Sequence, residues 1–291
     1  MSFITSLIPV LTEDPFLKYR PFPAEPANYF EAHWHEAIVS FLFYTIAQQV
    51  SKPISAHYFG KTYTSLKYKT KVNFDIHVVS MVQCFISISL LLPMWNHSHW
   101  QNRVNDPLNS VVGYTPYGGL VASLTLGYFL WDLMVCLVHF DIFGIGFLFH
   151  GFAAAFVFGG SLRPFCNPWI PAFLLFELST PFVNINWFAS RLPAGTFNET
   201  FILFNGLALI ITFFSVRILW GLYAVSLLAN DMFQVWNQIP SFLAVTVLAL
   251  NASLDFLNIF WFQKMIAIAR KKLGGKESTK EAVKEVANKI D

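Results

Sequence analysis

The sequence predicts an all-α polytopic membrane protein of about seven transmembrane helices, and three observations carry that reading. Of the 291 residues, 55% are hydrophobic and 12% are charged; a soluble domain carries roughly twice that charge. The mean hydropathy is +0.50. The apolar residues fall in long continuous runs rather than in alternation, which favours helices over a barrel.

About 20 apolar residues cross a bilayer core. By that measure the expected spans are 34–50, 73–95, 118–139, 146–162, 169–187, 201–223 and 240–263. Residues 1–33 form a Pro-rich, aromatic lead-in (Pro15, Pro21, Pro23, Pro26), with no basic start and no cleavage site of the kind that marks a signal peptide. The first span and a basic loop fill 34–66, a membrane domain fills 67–272, and a tail occupies 273–291. The fourth span is short and flanked by Gly144, Gly146, Gly159 and Gly160, read as turns or close helix contacts. The fifth is interrupted by Pro171 and Pro181.

Basic residues set the expected orientation. The 51–72 loop holds Lys52, Lys61, Lys67, Lys69 and Lys71, Arg191 follows the fifth span, and Lys264, Arg270, Lys271, Lys272 and four further lysines crowd the C-terminal end. The opposite side holds Lys18, Arg20, Arg103 and Arg163. This places the N-terminus in the lumen and the C-terminus in the cytosol. Ser278-Thr-Lys-Glu281 reads as a capping box opening a short solvated helix. Of the three sequons, only Asn96 lies where it can be glycosylated.

Nucleic acid is excluded as a partner by the lack of a basic-aromatic stripe. Cys84, Cys136 and Cys166 have neither disulfide nor metal spacing and read as buried thiols. No metal and no cofactor is expected. His33-Trp-His35 reads as an aromatic anchor at the first interface, and His97 and His99 beside Trp95 and Trp100 read the same way.

The chemistry sits in ionisable residues at membrane depth, which tend to line cavities or substrate paths. At 1.5 Å per residue, Asp132, His150 and Asp255 fall in one layer of the inner half. His139, seven residues after Asp132, is expected on the same helical face. Glu177 and Arg217 form a second layer nearer the outer side and are expected to pair. The candidate cavity is therefore Asp132, His139, His150, Asp255, Glu177 and Arg217. His150 is the candidate general base or nucleophile, with Asp132 as its orienting carboxylate; the alternative is a hydrogen-bonded packing cluster.

Several segments together resemble the TLC-domain family, which includes ceramide synthases, a translocon-associated protein and membrane-lipid regulators. They are Lys67–Lys71 before His77-Val-Val-Ser80, Gly127-Tyr-Phe-x-x-Asp132, Leu148-Phe-His150, Glu177-Leu-Ser-Thr-Pro-Phe-x-Asn184 and the basic C-terminal exit. The resemblance covers roughly 67–272. It implies six helices around a lipid-accessible cavity, an additional N-terminal helix, and the endoplasmic reticulum. Ceramide synthases share a His-His pair; here the matching pair is His150-Gly151. Their His-Asp dipeptide is not evident near Glu177, so the sequence is closer to the non-synthase branches. The expected function is binding or sensing of membrane lipid in lipid homeostasis. The alternatives are sphingolipid-type acyl transfer with acyl-CoA as co-substrate, and a cargo or translocon accessory role. Membrane lipids are the expected partners, with a homo-oligomer or a membrane-protein partner also open.

Overall fold

The computed structural model describes residues 8–193 and 195–273. Every regular element in it is helical, and no strand occurs among the described residues. The tail motif at Ser278–Glu281 lies outside the described residues.

Helix α1 spans Tyr29–Phe59. Asn28 caps it by accepting from the Glu31 N–H, and the Glu31 carboxylate returns to the Ala27 N–H and the Asn28 amide, so one orphan donor of the first turn is satisfied and the chain entering the helix is tied to it. The helix passes through Pro53 and ends at Phe59, with Gly60 as its C-cap, nine residues beyond the expected end of the first span. Its polarity is turned inward. His33, His35, Glu36, Ser40, Gln48, Ser51 and Ser55 are buried, while Ile38, Val39, Leu42, Phe43, Ile46, Val50 and Ile54 are exposed. A helix that buries its polar side and exposes a continuous aliphatic side suits an apolar solvent. His33 is fully buried, which replaces the expected surface anchor with an internal group. Trp34 alone keeps an interfacial character, donating its indole N–H to the Phe22 carbonyl.

Helix α2 (Tyr68–Leu91) begins inside the basic Lys67–Lys71 segment, with Lys67 as its N-cap. Helix α3 (Pro116–Val138) opens with Thr115 as cap and Pro116 at its first position, where a missing N–H costs nothing. It packs along α1, with the Ser40 hydroxyl donating to the Leu124 carbonyl and the Trp131 indole N–H to Gln48. Helix α4 (Phe140–Gly160) contains one non-helical residue, Gly144, at φ 68°. Only glycine occupies that region without cost, and the uninterrupted part of α4 begins beyond it, close to the expected start at 146.

The fifth expected span is not one helix. Pro168, Pro171 and Pro181 each begin a new short element: Asn167–Trp169, Ile170–Leu174 and, after a 3-10 turn at Leu175–Ser179, helix α5 (Thr180–Arg191). Proline cannot donate to the preceding turn, so each restart is dictated locally. Helix α6 runs over Glu199–Gln234, with a π-helical segment at Phe214–Leu219. Helix α7 (Ser241–Leu273) closes the described chain. Among the described residues, five helices are long and apolar enough to cross a membrane: Tyr68–Met94, Pro107–Val138, Phe140–Gly160, Glu199–Gln234 and Ser241–Arg270. Helix α1 has the length but not the hydropathy, and 167–191 is too broken, so five of the seven expected spans meet that measure.

Three apolar clusters hold the helices among the described residues; the smallest joins Tyr63, Phe74 and Leu192, and the other two border the candidate cavity. One centres on Tyr44, Tyr128, Trp131 and Phe158 between α1, α3 and α4. The other joins Phe165 and Trp169 to Leu228 and Met232 of α6. The candidate cavity opens between them.

Candidate functional site

The cavity has a volume of about 80 Å³. Its walls come from α3, α4, the 161–177 segment, α6 and α7; most are apolar, and His150, Glu177 and Arg217 supply the ionisable groups. Three of the six candidate residues therefore meet in one hollow.

Arg217 sits in the π-helical segment. A π turn inserts an extra residue and redirects the side chains around it, a device common at functional sites. The guanidinium donates from Nε to the Ser179 hydroxyl at 3.0 Å and from Nη2 to the Thr180 hydroxyl at 3.4 Å. Both hydroxyls are placed there by the helix break before Pro181. The guanidinium carbon also lies over the rings of Phe213 and Phe176, at 5.3 and 5.8 Å, within cation–π range. The expected Glu177–Arg217 ion pair does not form: no carboxylate oxygen comes within 4 Å of this guanidinium among the described residues. Matched depth put the two groups in one cavity, but they approach it from different walls.

His150 packs its ring edgewise between Phe129 and Trp261, each at 6.0 Å. Its Nδ1 is buried and has no hydrogen-bond partner. No hydrogen bond joins it to Asp132, so the expected base–orienter dyad is absent. Asp132 lies behind the neighbouring residue instead: a Cβ on Gly151 would stand 3.0 Å from Asp132 Oδ2 and 3.6 Å from the Leu133 backbone. Glycine at 151 thus lets α4 close on α3, and a second imidazole there would have to displace the Asp132 carboxylate. Asp255 is buried on the far side, near Phe176 and Gly221. Asp132 and Asp255 flank the cavity without lining it.

His139 lies elsewhere. Helix α3 ends at Val138, and His139 has φ −117° and ψ 40°, so the helical face shared with Asp132 does not extend to it. It lines a separate hollow of about 430 Å³ at the ends of α1, α2 and α3, with Lys52, Lys71, Asp75 and Tyr68. There its Nδ1 is 3.4 Å from the Tyr68 hydroxyl.

Two other motif segments prove to bridge helices. His77 Nδ1 is 2.7 Å from Asn184 Oδ1, the Asn184 amide donates to the Ser80 hydroxyl, and the His77 ring stacks on Trp187 at 4.3 Å. These polar residues fasten α2 to α5. A buried ion pair escaped sequence reasoning altogether: Arg103 grips Asp231 with two hydrogen bonds of 3.0 and 3.1 Å. The 128-residue separation leaves no local signal from which to find it.

The family model described as TLC domain matches residues 73–267. The chain belongs to the TLC-domain family. It is 42% identical over 264 residues to Topoisomerase I damage affected protein 4 of Saccharomyces cerevisiae, covering 88% of this chain and 91% of that one. An uncharacterized TLC domain-containing protein of Schizosaccharomyces pombe is 39% identical over 85% of this chain and 82% of its own length. Human TLC domain-containing protein 4 is 25% identical over 77% of this chain and 82% of its own. These names agree with a branch of the family apart from the synthases. No solved structure matches.

Proposed function

We propose that this TLC-domain protein binds a membrane lipid at the Arg217 cavity and contributes to lipid homeostasis in the endoplasmic reticulum. The observation that carries the proposal is the state of Arg217. Its fork meets two neutral hydroxyls and two aromatic faces but no carboxylate within 4 Å. A guanidinium held in this way suits the acceptor oxygens of a phosphate, carboxylate or carbonyl headgroup. The cavity is smaller than the ~300–1,000 Å³ of pockets that enclose a drug-sized ligand, so it receives a single group while the chains stay in the membrane. A photoactivatable phospholipid incubated with the purified protein should label the walls at Phe173, Val247 or Leu254. Labelling confined to outward residues such as Phe204 and Phe242 would count against the proposal.

The second reading is acyl transfer, favoured by the buried, unpartnered Nδ1 of His150. Given a long-chain acyl-CoA with a panel of long-chain amines and alcohols, the purified protein is expected to form no acylated product. Product that vanishes in His150→Ala would make this reading the answer. An accessory role in cargo handling or translocation predicts unchanged lipid composition on deletion of the gene, and the lipid-binding reading predicts a change. The proposed orientation is N-lumenal and C-cytosolic, with α1 and the 167–191 segment completing seven crossings. A tag after Ile290 should be cleaved by protease in sealed microsomes; protection of the tag would reverse the orientation.

A further inference from the structure

We propose that Asp14, His33 and Glu36 form a binding site for a divalent transition-metal ion of the zinc type, which clamps the N-terminal lead-in to α1. The three side chains are each at least nine-tenths buried. Their donor atoms lie within 4.8 Å of one another. His33 Nδ1 is 2.7 Å from Glu36 Oε2 and 3.3 Å from Asp14 Oδ2. Four ligands around zinc at ~2.0–2.2 Å stand roughly 3.3–3.5 Å apart; the His33–Asp14 separation already matches that spacing, and the Glu36 oxygen would draw back from His33 by roughly 0.7 Å to admit an ion.

Three features distinguish this cluster from an ordinary buried hydrogen-bond network. Asp14 Oδ2 and Glu36 Oε1 are buried without any hydrogen-bond partner, although buried carboxylate oxygens are costly to leave unsatisfied. The second nitrogen of His33, Nε2, is 2.6 Å from the Tyr114 hydroxyl. That contact fixes the ring and leaves Nδ1 directed at the carboxylates, as the outer partner of a metal-bound histidine does. The charge balance also favours a cation. With both carboxylates ionised the cluster stays negative even when the imidazole is protonated, so it is balanced either by a cation or by a proton held between the carboxylates. His35 reaches the cluster only loosely: its Nε2 is 3.3 Å from the Phe16 carbonyl and 3.7 Å from Glu36 Oε1, and its Nδ1 is buried without a partner, so a second proton on that nitrogen would find no acceptor. One divalent ion with a neutral His33 brings the three-residue set to zero. His and carboxylate donors suit zinc-type metals, and the fourth position falls to water.

The location gives the ion a structural task. Asp14 belongs to the lead-in, His33 and Glu36 to the first turns of α1, and Tyr114 to the loop before α3. The lead-in already touches the bundle through the Tyr117 N–H to Thr12 carbonyl and Leu11 N–H to Pro93 carbonyl bonds. A metal at Asp14 would lock that strap across the end of α1 and α3.

The test uses the full-length chain, purified in detergent through a tag that binds no metal, equilibrated with zinc chloride and desalted. Elemental analysis should find about one zinc per chain, as a single built site requires. The triple variant Asp14→Asn, His33→Gln, Glu36→Gln should retain only background metal at an unchanged elution volume. Tyr114→Phe keeps all three ligands and should weaken zinc binding by ~10–100-fold. Should the triple variant fail to fold, the wild type loaded with Co²⁺ still decides the matter, because N/O ligation in a tetrahedral site gives visible d–d bands. Wild type that holds no zinc above background, zinc equal in wild type and folded triple variant, or a Co²⁺ form without those bands would each overturn the site and leave a proton shared by the carboxylates as the occupant.

Discussion

Arg103 and Arg217 are treated in opposite ways. Arg103 has its fork matched to Asp231 in a bidentate pair. The Ser110 hydroxyl donates to the same carboxylate at 2.7 Å, and the Trp169 indole N–H donates to Ser110. Trp100 and Trp169 cover the guanidinium. Arg217 has the same aromatic cover but only hydroxyls for hydrogen bonds, and its environment is a hollow rather than a packed wall. A satisfied arginine closes a fold. An arginine held open beside a cavity retains binding capacity, and that contrast is the physical basis for placing the function at Arg217.

The comparison can be broken most forcefully at Arg103. Arg103→Ala strands the buried Asp231 carboxylate, and removing one member of a buried pair typically costs about 3–5 kcal/mol. Thermal unfolding in detergent should show a correspondingly large loss of stability for Asp231→Ala or Arg103→Ala. Arg217→Gln should lose clearly less, because its hydroxyl partners are neutral and remain satisfiable by an amide. Equal losses at the two sites would mean that Arg217 is as structural as Arg103.

Gly151 offers a smaller effect. A methyl group there meets the Asp132 carboxylate at 3.0 Å, and overpacking of a close contact costs about 1–3 kcal/mol. Gly151→Ala should therefore lower the unfolding temperature, and Gly151→His should lower it further. A neutral or stabilising Gly151→His would show that α3 and α4 yield more easily than their spacing implies.

Double-mutant cycles refine the contrast at lower energy. Partners in one hydrogen-bonded network couple by ~0.5–3 kcal/mol, and Arg103 with Asp231 should fall in that range. Glu177 with Arg217 should couple more weakly, since their charges share a cavity without touching. A coupling as large as that of Arg103 with Asp231 would restore the direct ion pair that depth alone suggested.

What the sequence revealed follows from which physical quantities it encodes. Apolar length is additive along a chain, so α2, α3, α4, α6 and α7 were legible from their runs. Depth is nearly additive too, and it set Glu177 beside Arg217; it also set His150 in a separate inner layer with Asp132 and Asp255, whereas His150 lines the Arg217 cavity and the two aspartates do not. Azimuth is not: it depends on where each helix starts, ends or changes pitch. His139 was placed on the Asp132 face because α3 was extended by one residue too many, and the π segment at Arg217 left no compositional trace. Helix α1 hid its length because its polar residues face inward, which lowers its hydropathy while its outer side stays aliphatic. The buried pair Arg103–Asp231 and the Asp14–His33–Glu36 cluster join distant segments, and such contacts cannot be inferred from periodicity within one.

The most direct test of the Arg217 cavity is native mass spectrometry of the wild type and Arg217→Gln, purified side by side from the same membranes under mild detergent. The wild type should carry a co-purifying lipid that survives activation, and Arg217→Gln, eluting as the same folded species, should carry little or none. Identical lipid adducts on both proteins would contradict a headgroup held by Arg217.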